Sequence, residues 1–396
     1  MAADLKQTAC LEIDRCAGEL NELSQQIWAK PELNFEEHDA HKVLSDYLEK
    51  KGFKVERHYK LDTAFRATWA EETSDGLPHV AVLCEYDALP EIGHACGHNL
   101  IAEAGVAAGL GVKAAMQAAG APIGKLTVLG TPAEEGGGGK VKLIEQGAFT
   151  GMDVAMMTHP APDHDTRPVC LAYSGITVRY FGKASHASGF PWKGVNALDA
   201  AVMCYQSVSN MRQQFLPTWR VHGIITKGGT KPNIIPDNTE LDYYMRAPTD
   251  EELLTLKDKM VKCFEAAATA TGCTLELVED RIGYSNLVTN GPLADTYDSH
   301  ARALGVTLGS AFQDKAGSTD MGNVSHVLPS LHPMYSLHTQ AVNHTREFTT
   351  VSGSPEAQLY TLDQGKALAM TAVDVLTSPG LLAKIKADFE KNVKTH

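Results

Sequence analysis

Side chains that can bind metal ions or transfer protons are concentrated in four separate segments of this sequence. Each segment follows a short apolar run that predicts a strand. Because loops at the carboxyl edge of an α/β sheet form a common crevice, we expect these segments to meet there. The side chains concerned are one thiol, three imidazoles and two adjacent carboxyl groups: Cys96, His98, Glu134, Glu135, His159 and His344.

This set of donors indicates a catalytic metal centre. Thiolate, imidazole and carboxylate groups are ligands of zinc, and of manganese where carboxylates dominate. Five ligand candidates exceed the four of one tetrahedral ion, so two ions are indicated, with the sulfur of Cys96 able to bridge them. Of the adjacent carboxyl groups, one can bind metal while the other transfers a proton.

Each residue also has a structural interpretation when it is taken singly. Cys96 could be a buried small hydrophobic residue, and the pair Glu134 and Glu135 could cap the following helix. Three further histidines receive a structural interpretation because nothing places them at a strand end. These are His164, His332 and His338.

Two other catalytic classes are poorly supported. A serine hydrolase is disfavoured because the chain has no G-x-S-x-G motif, and Ser185 and His186 are adjacent and would point apart. A phosphate-binding loop at Gly136–Gly139 and Lys140 is disfavoured because Lys140 is followed by valine instead of serine or threonine.

The elements that must position these residues predict an α/β core. Apolar runs at 64–69, 80–84, 126–130 and 154–157 alternate with helical patterns that include 99–119. Residues 170–285 instead give the order strand, helix, two strands, helix, strand, which is typical of a ferredoxin-like module. We therefore predict a catalytic domain made of residues 1–169 and 286–396, with residues 170–285 inserted between the two parts.

Composition narrows the class of protein further. The 48 acidic and 35 basic side chains give a formal charge of −13, which argues against nucleic-acid and anionic-membrane partners. The apolar stretch 101–116 is too short and too polar to span a bilayer, and the N-terminus does not resemble a signal peptide. Eight cysteines without a C-x-x-C pair favour a reducing compartment, so we predict a cytoplasmic protein.

Several motifs, in chain order, resemble one enzyme family. They are CEYDALPEIGHACGHN, GTPAEEGGGG, SHAS, KPNIIP, GSTDMGNVS and NHT. They are similar to the aminoacylase and carboxypeptidase family of di-metal peptidases, and within it to the amidohydrolase branch with an H-x-C-G-H motif. The resemblance extends over nearly the whole chain and includes cytosolic dipeptidases that cleave β-alanyl-lysine and related dipeptides.

The resemblance implies a central mixed sheet with flanking helices, an inserted α+β ferredoxin-like lid that also forms a homodimer, and two ions of zinc or manganese. It implies that Glu134 is the general base, which takes a proton from the attacking water and returns it to the leaving amine. Asp87 would contact one of the metal ligands on the side that faces away from the metal. The implied metal ligands are Cys96, His98, Glu135, His159 and His344.

The resemblance also assigns roles in the lid. His186 would reach into the partner's site and stabilise the oxyanion, while Asn233 and Arg246 would hold the substrate's terminal carboxylate. Strand alternation places Arg246 on the face of Asp242 and Tyr244, as expected for a polar cleft wall. An exposed ion-pairing arginine is the alternative.

We therefore expect a metal-dependent hydrolase of small dipeptides with a free carboxylate, of the β-alanyl-lysine type with C-terminal lysine, ornithine or arginine. An amidohydrolase of N-acyl amino acids is one alternative. A non-catalytic homologue that keeps the fold is another.

Overall fold

The computed structural model describes residues 2–70, 74, 76–279, 281–309 and 317–393. Contacts divide the chain into two compact units. The first contains the residues up to Val169 and those from Leu287 onward, and the second is Cys170–Asn286. The first boundary lies where the sequence placed it, and the second lies one residue later than the predicted one.

The first unit is built on a six-stranded mixed sheet. Four neighbouring strands run parallel to one another, and two more strands extend one side of the sheet, each antiparallel to the strand before it. In spatial order the strands are β1 (Lys54–Arg57), β2 (Phe65–Trp69), β4 (Lys125–Gly130), β3 (His79–Cys84), β5 (Val154–Met156) and β11 (Ser330–Leu331). A separate parallel pair consists of β6 (His159–Ala161) and β12 (Met334–Ser336).

Helices cover this sheet, and α3 is the most deeply buried of them. They are α1 (Ala2–Ala29), α2 (His38–Lys50), α3 (His98–Ala118), α4 (Gly139–Glu145), α7 (Gly291–Ala303), α8 (Met321–Ser325), α9 (Arg346–Ser352), α10 (Pro355–Thr377) and α11 (Pro379–Val393). Helix α3 packs against α1, α10 and β3. Gly105 allows this close approach, because a Cβ there would lie 2.6 Å from the carbonyl oxygen of Leu83.

The second unit is a four-stranded antiparallel sheet with two helices. Its elements are β7 (Ala172–Phe181), α5 (Ala197–Met211), β8 (Arg220–Lys227), β9 (Asn238–Ala247), α6 (Asp250–Thr271) and β10 (Thr274–Val278). The spatial strand order is β10-β7-β9-β8. This is the predicted ferredoxin-like arrangement, and its two helices cover a core of its own. The predicted fold class, a mixed α/β domain with an α+β insert, is confirmed.

Within the described residues, no single helix has the length and apolar composition needed to cross a membrane. Helices α10 and α11 reach that length and apolar composition only when they are taken together, and the two helices are bent by 101° relative to each other.

Candidate metal centre

Three parallel strands deliver the predicted site residues to one edge of the sheet. The loops that follow β3 and β4 carry Asp87 and Glu134, and His159, three residues after the end of β5, is the first residue of β6. The neighbouring strands are parallel, so their carboxyl ends lie side by side, as the sequence predicts. His344 is different, because it lies in the loop between β12 and α9 and does not directly follow a strand of the sheet.

The ligand candidates form three overlapping groups. In each group the donor atoms lie within 4.8 Å of one another. The groups are Cys96 with His98 and His159, Cys96 with Glu135 and His344, and His98 with Glu134 and Glu135. Cys96, His98 and Glu135 each belong to two of the groups, so the three groups form one connected cluster.

Hydrogen bonds on the outer side of the imidazoles orient their Nε2 atoms toward the centre. His98 Nδ1 lies 3.1 Å from Asp87 Oδ1, and His159 Nδ1 lies 2.8 Å from the carbonyl oxygen of Pro160. The Nε2 of His159 is 3.4 Å from Cys96 Sγ. Outer partners of this kind fix the tautomer and direction of metal-binding histidines. Asp87 is the outer partner of His98.

The backbone between Cys96 and His98 requires glycine. Gly97 has a φ of +77°, and a Cβ at this position would lie 2.6 Å from Pro160 Cγ. It precedes the first residue of α3, so the turn sets both ligands at the start of that helix. The amide of His344 donates to the carbonyl oxygen of Ala95, at 2.8 Å, and holds the distant loop against the same turn.

The two adjacent carboxyl groups are held by their backbone. The amide of Glu135 donates to Asp87 Oδ2 at 2.9 Å, and its carbonyl oxygen accepts from Asn34 Nδ2 at 2.7 Å. Asp87 therefore contacts His98 with one oxygen and the Glu135 backbone with the other. Glu135 Oε1 lies 3.3 Å from His344 Nε2 and 3.9 Å from His98 Nε2.

The pKa values of the site reflect this crowding of charge. Burial alone would raise the pKa of Cys96, but His159, His344 and His98 hold it well below its usual value. Burial, and after it the neighbouring carboxylates, raise the pKa of Glu134 well above the ordinary range. Burial and the Cys96 thiolate raise the pKa of Glu135 to about 7. The raised pKa values of two carboxyl groups beside a thiolate indicate an excess of negative charge in this site, which a bound cation would stabilise.

Buried polar atoms without partners test whether metal ions fit. Within the described part of the chain, His98 Nε2 and Glu85 Oε2 are buried and make no hydrogen bond, and buried Glu135 Oε1 has His344 Nε2 as an ion-pair partner at 3.3 Å. Leaving such atoms unsatisfied costs about 1–3 kcal/mol each. Because the atoms converge on one place and are the donor types that zinc and manganese bind, the residues fit a metal centre.

The sequence analysis assigned no role in a metal centre to several buried residues at this edge, among them Glu85, His332, Lys140 and Asp320. His332 directly follows β11, and its ring centroid lies 5.6 Å from that of His159. Its structural interpretation depended on the absence of a strand, and a two-residue strand is too short to leave a periodic signal. Lys140 and Asp320 form an ion pair of 2.7 Å, although they are 180 positions apart. Sequence spacing carries no signal for such a contact.

The candidates of the insert belong to the second unit. The amide of Ala187, next to His186, donates to the carbonyl oxygen of Asn233 at 3.0 Å, so these two segments are paired. Arg246 lies on β9, where its guanidinium carbon is 5.3 Å from the ring centroid of Tyr173. The burial pattern of β9 alternates as expected, with Met245 buried and Arg246 on the less buried face.

The sequence and the fold both match known peptidases. A profile of the peptidase dimerisation domain of M20 peptidases matches residues 173–271. The chain is 50% identical to the Xaa-Arg dipeptidase of Mus musculus over 397 residues, which cover 98% of this chain and 92% of the relative. The Xaa-Arg dipeptidase of Homo sapiens is 49% identical over 401 residues, with the same coverage.

A solved structure shares the fold at lower sequence identity. It is that of a Bacillus subtilis protein described as a dinuclear metal-binding peptidase of the M20 family. It matches with a TM-score of 0.68 and 20% identity, covering 92% of this chain and 99% of the other. The similarity therefore extends over both units of the chain.

Proposed function

Because this chain belongs to the M20 family of peptidases, we propose that it is a metal-dependent dipeptidase for dipeptides with a basic C-terminal residue. The observation that carries the chemistry is the cluster of Cys96 with its neighbouring imidazoles and carboxyl groups. The similarity to Xaa-Arg dipeptidases over nearly the whole chain supports arginine at the C-terminal position. Lysine and ornithine are the other basic residues that the motif resemblance implies.

Two divalent ions fit the donor set. Cys96, His98, Glu135, His159 and His344 would hold them. Ions at these positions would polarise the scissile carbonyl and make the attacking water more acidic. The thiolate and three imidazoles favour zinc, whereas the carboxylates also suit manganese.

Glu134 is the residue that we assign to proton transfer. It is buried, and burial, followed by the neighbouring carboxylates, raises its pKa, which makes its carboxylate a stronger base than an exposed one. It takes a proton from the attacking water and delivers it to the leaving amine. Glu135, its neighbour, is fixed through its backbone to Asp87 and serves as a ligand.

The insert supplies groups for the substrate's charges. Arg246 is half-buried beside Tyr173, and burial lowers its pKa, so that a carboxylate bound there would be favourably paired. Asn233 complements it with an amide. His186, in the segment paired with Asn233, would donate to the oxyanion of the tetrahedral intermediate.

A homodimer through the insert accounts for an exposed apolar surface there. Strand β8 is at the edge of its sheet, and α5 and β8 expose large apolar side chains. An exposed apolar edge strand favours association with another chain. The exposed side chains are Val202, Met203, Tyr205, Ile224 and Ile225.

We also propose a cytoplasmic location. All eight cysteines are free thiols, and seven of them are buried. Free thiols are typical of proteins in a reducing compartment.

A substrate panel tests the proposed specificity. Purified protein would be assayed on Ala-Arg, β-alanyl-lysine, Ala-Leu and the N-acetyl derivatives of leucine and phenylalanine. We expect the two dipeptides with basic C-terminal residues to be cleaved with the highest kcat/KM. Faster cleavage of the N-acyl amino acids would replace the dipeptide assignment with the alternative one.

A further inference from the structure

A buried ion-pair network lies directly behind the candidate metal centre. Lys140 Nζ is bonded to Glu85 Oε1 and lies 2.7 Å from Asp320 Oδ1, while the Lys140 amide donates to Asp320 Oδ2 at 2.9 Å. All three side chains are fully buried or nearly so. The proposed mechanism uses none of them, and a buried charged network needs a reason to persist.

The charges within this network do not cancel. Lys140 carries one positive charge between two carboxyl groups. Burial alone would lower the pKa of Lys140, but Asp320 and Glu85 more than offset this effect and hold it above its usual value. The network is therefore an anionic group that a neighbouring cation would stabilise.

The second oxygen of Glu85 faces the metal centre. Glu85 Oε2 lies 3.6 Å from His98 Nε2, and both atoms are buried without a hydrogen-bond partner in the described part of the chain. The other nitrogen of His98 is already paired with Asp87, so Nε2 is the atom available to a metal.

This separation is the one expected of two ligands on the same ion. With ligand distances of about 2.1 Å, two donors on a tetrahedral ion lie about 3.4 Å apart. The proposed ligand pairs show similar values, 3.4 Å for Cys96 Sγ and His159 Nε2 and 3.3 Å for Glu135 Oε1 and His344 Nε2.

We propose that Glu85 is a further ligand at the metal position that contains His98, and that Lys140 and Asp320 are positioning residues that direct its free oxygen there. Lys140 is hydrogen-bonded to one oxygen of Glu85 and thereby fixes the plane of the Glu85 carboxylate. Asp320 in turn holds Lys140 by both its side chain and its amide. This inference rests on the proposed two-metal function.

The first test is metal binding by Glu85→Gln, without any substrate. Stoichiometry and affinity for zinc and manganese would be measured by competition with a chromophoric chelator and by mass spectrometry of the metal content. We expect the affinity for one of the two ions to fall at least about 10-fold while the other ion is retained. Glu103→Gln is the matched control, because Glu103 is an equally buried acid on α3 that the proposal does not involve.

The second test separates positioning by Lys140 from its charge. If Lys140 acted only as a cation, Lys140→Gln would strengthen metal binding by removing a repulsive charge. If it positions Glu85, the same variant weakens binding at the position that Glu85→Gln affects. Stronger or unchanged binding would contradict the positioning role.

A crystal structure of the wild-type protein with manganese tests the same proposal if the variants do not fold. We expect anomalous density for an ion within about 2.0–2.2 Å of Glu85 Oε2. Two results would overturn this inference and leave the proposed function intact. One is an ion bound to His98 but too far from Glu85 Oε2 to be coordinated by it, and the other is a Glu85→Gln variant that binds both ions normally. A wild-type protein that binds no ions would overturn the proposed function as well.

Discussion

Glu134 and Glu135 are adjacent and of the same type, but their surroundings give them different chemistry. Glu135 lies in two of the potential metal-binding groups, together with Cys96 and His344 in one and with His98 in the other. Glu134 belongs to only one group, and burial and nearby carboxylates raise its pKa. The sequence alone predicts two roles for this pair, and the resemblance indicates which residue takes which role.

Replacing Glu134 should remove catalysis without removing the metal. Glu134→Gln keeps the size of the side chain but cannot accept a proton, so kcat should fall at least about 100-fold. Metal content, measured on the same preparation, should stay at the wild-type level. Glu135→Gln is the comparison variant, because it should lose metal. Full activity in Glu134→Gln would refute the assignment of the base.

Metal binding should release protons. In the metal-free site, the Glu135 pKa is about 7, the His344 pKa is about 10 because of Cys96 and Glu135, and Asp87 more than offsets burial to raise the His98 pKa. These groups hold protons near neutral pH that a metal must displace. The apparent affinity should therefore rise with pH from 6 to 8.

Calorimetry in buffers of different ionisation enthalpy would count the protons. We expect at least one proton released per chain at pH 7 when zinc is added. Binding with no proton release and no pH dependence would show that the ligands do not form this protonated cluster.

At the scale of elements, α3 connects the metal centre with the core of its unit. The helix begins at the ligand His98, and five residues later it carries Glu103, which is fully buried. Burial raises the pKa of Glu103 to about 8. The folded protein therefore keeps this proton over a pH range in which the unfolded chain, with an ordinary value near 4.5, has lost it.

This difference has a defined sign. The folded state binds more protons than the unfolded state between about pH 4.5 and 8, so Glu103 lowers stability as pH rises through that window. Glu103→Gln imitates the neutral acid and should unfold at a higher temperature than wild type at pH 8. The two proteins should converge near pH 4. The measurement is thermal unfolding of metal-free protein across pH, and a constant difference would contradict the assignment.

Strand ends were the part of the site that the sequence could predict. Long apolar runs predict β3 and β4, and residues of metal-binding types follow both runs in the sequence. The short β11 gives no such signal, so His332 was missed. The Lys140–Asp320 contact could not be foreseen, because it depends on how α4 and α8 pack.

At the scale of the whole molecule, each unit has its own buried apolar core, and each also exposes some large apolar side chains. In the second unit, five of the exposed side chains lie on α5 and β8. Together with the matched dimerisation profile, this supports a dimer in which each insert faces another chain.

Mixing two inactive variants tests whether the dimer shares its sites. His186→Ala and Glu134→Ala should each be inactive or nearly so while binding normal amounts of metal. After mixing and exchange of subunits, about a quarter of the wild-type activity should return, because half of the dimers are mixed and each contains one complete site. Sedimentation would confirm that both variants are dimers. No recovery despite exchange would place His186 in the site of its own chain.

The most direct measurement is the cleavage of β-alanyl-lysine and Ala-Arg by protein stripped of metal and then supplied separately with zinc and manganese. The proposed function predicts no cleavage by the metal-free protein and restored cleavage at two ions per chain with at least one of the metals. Cleavage by demonstrably metal-free protein, or none by protein that binds two ions per chain, would contradict it.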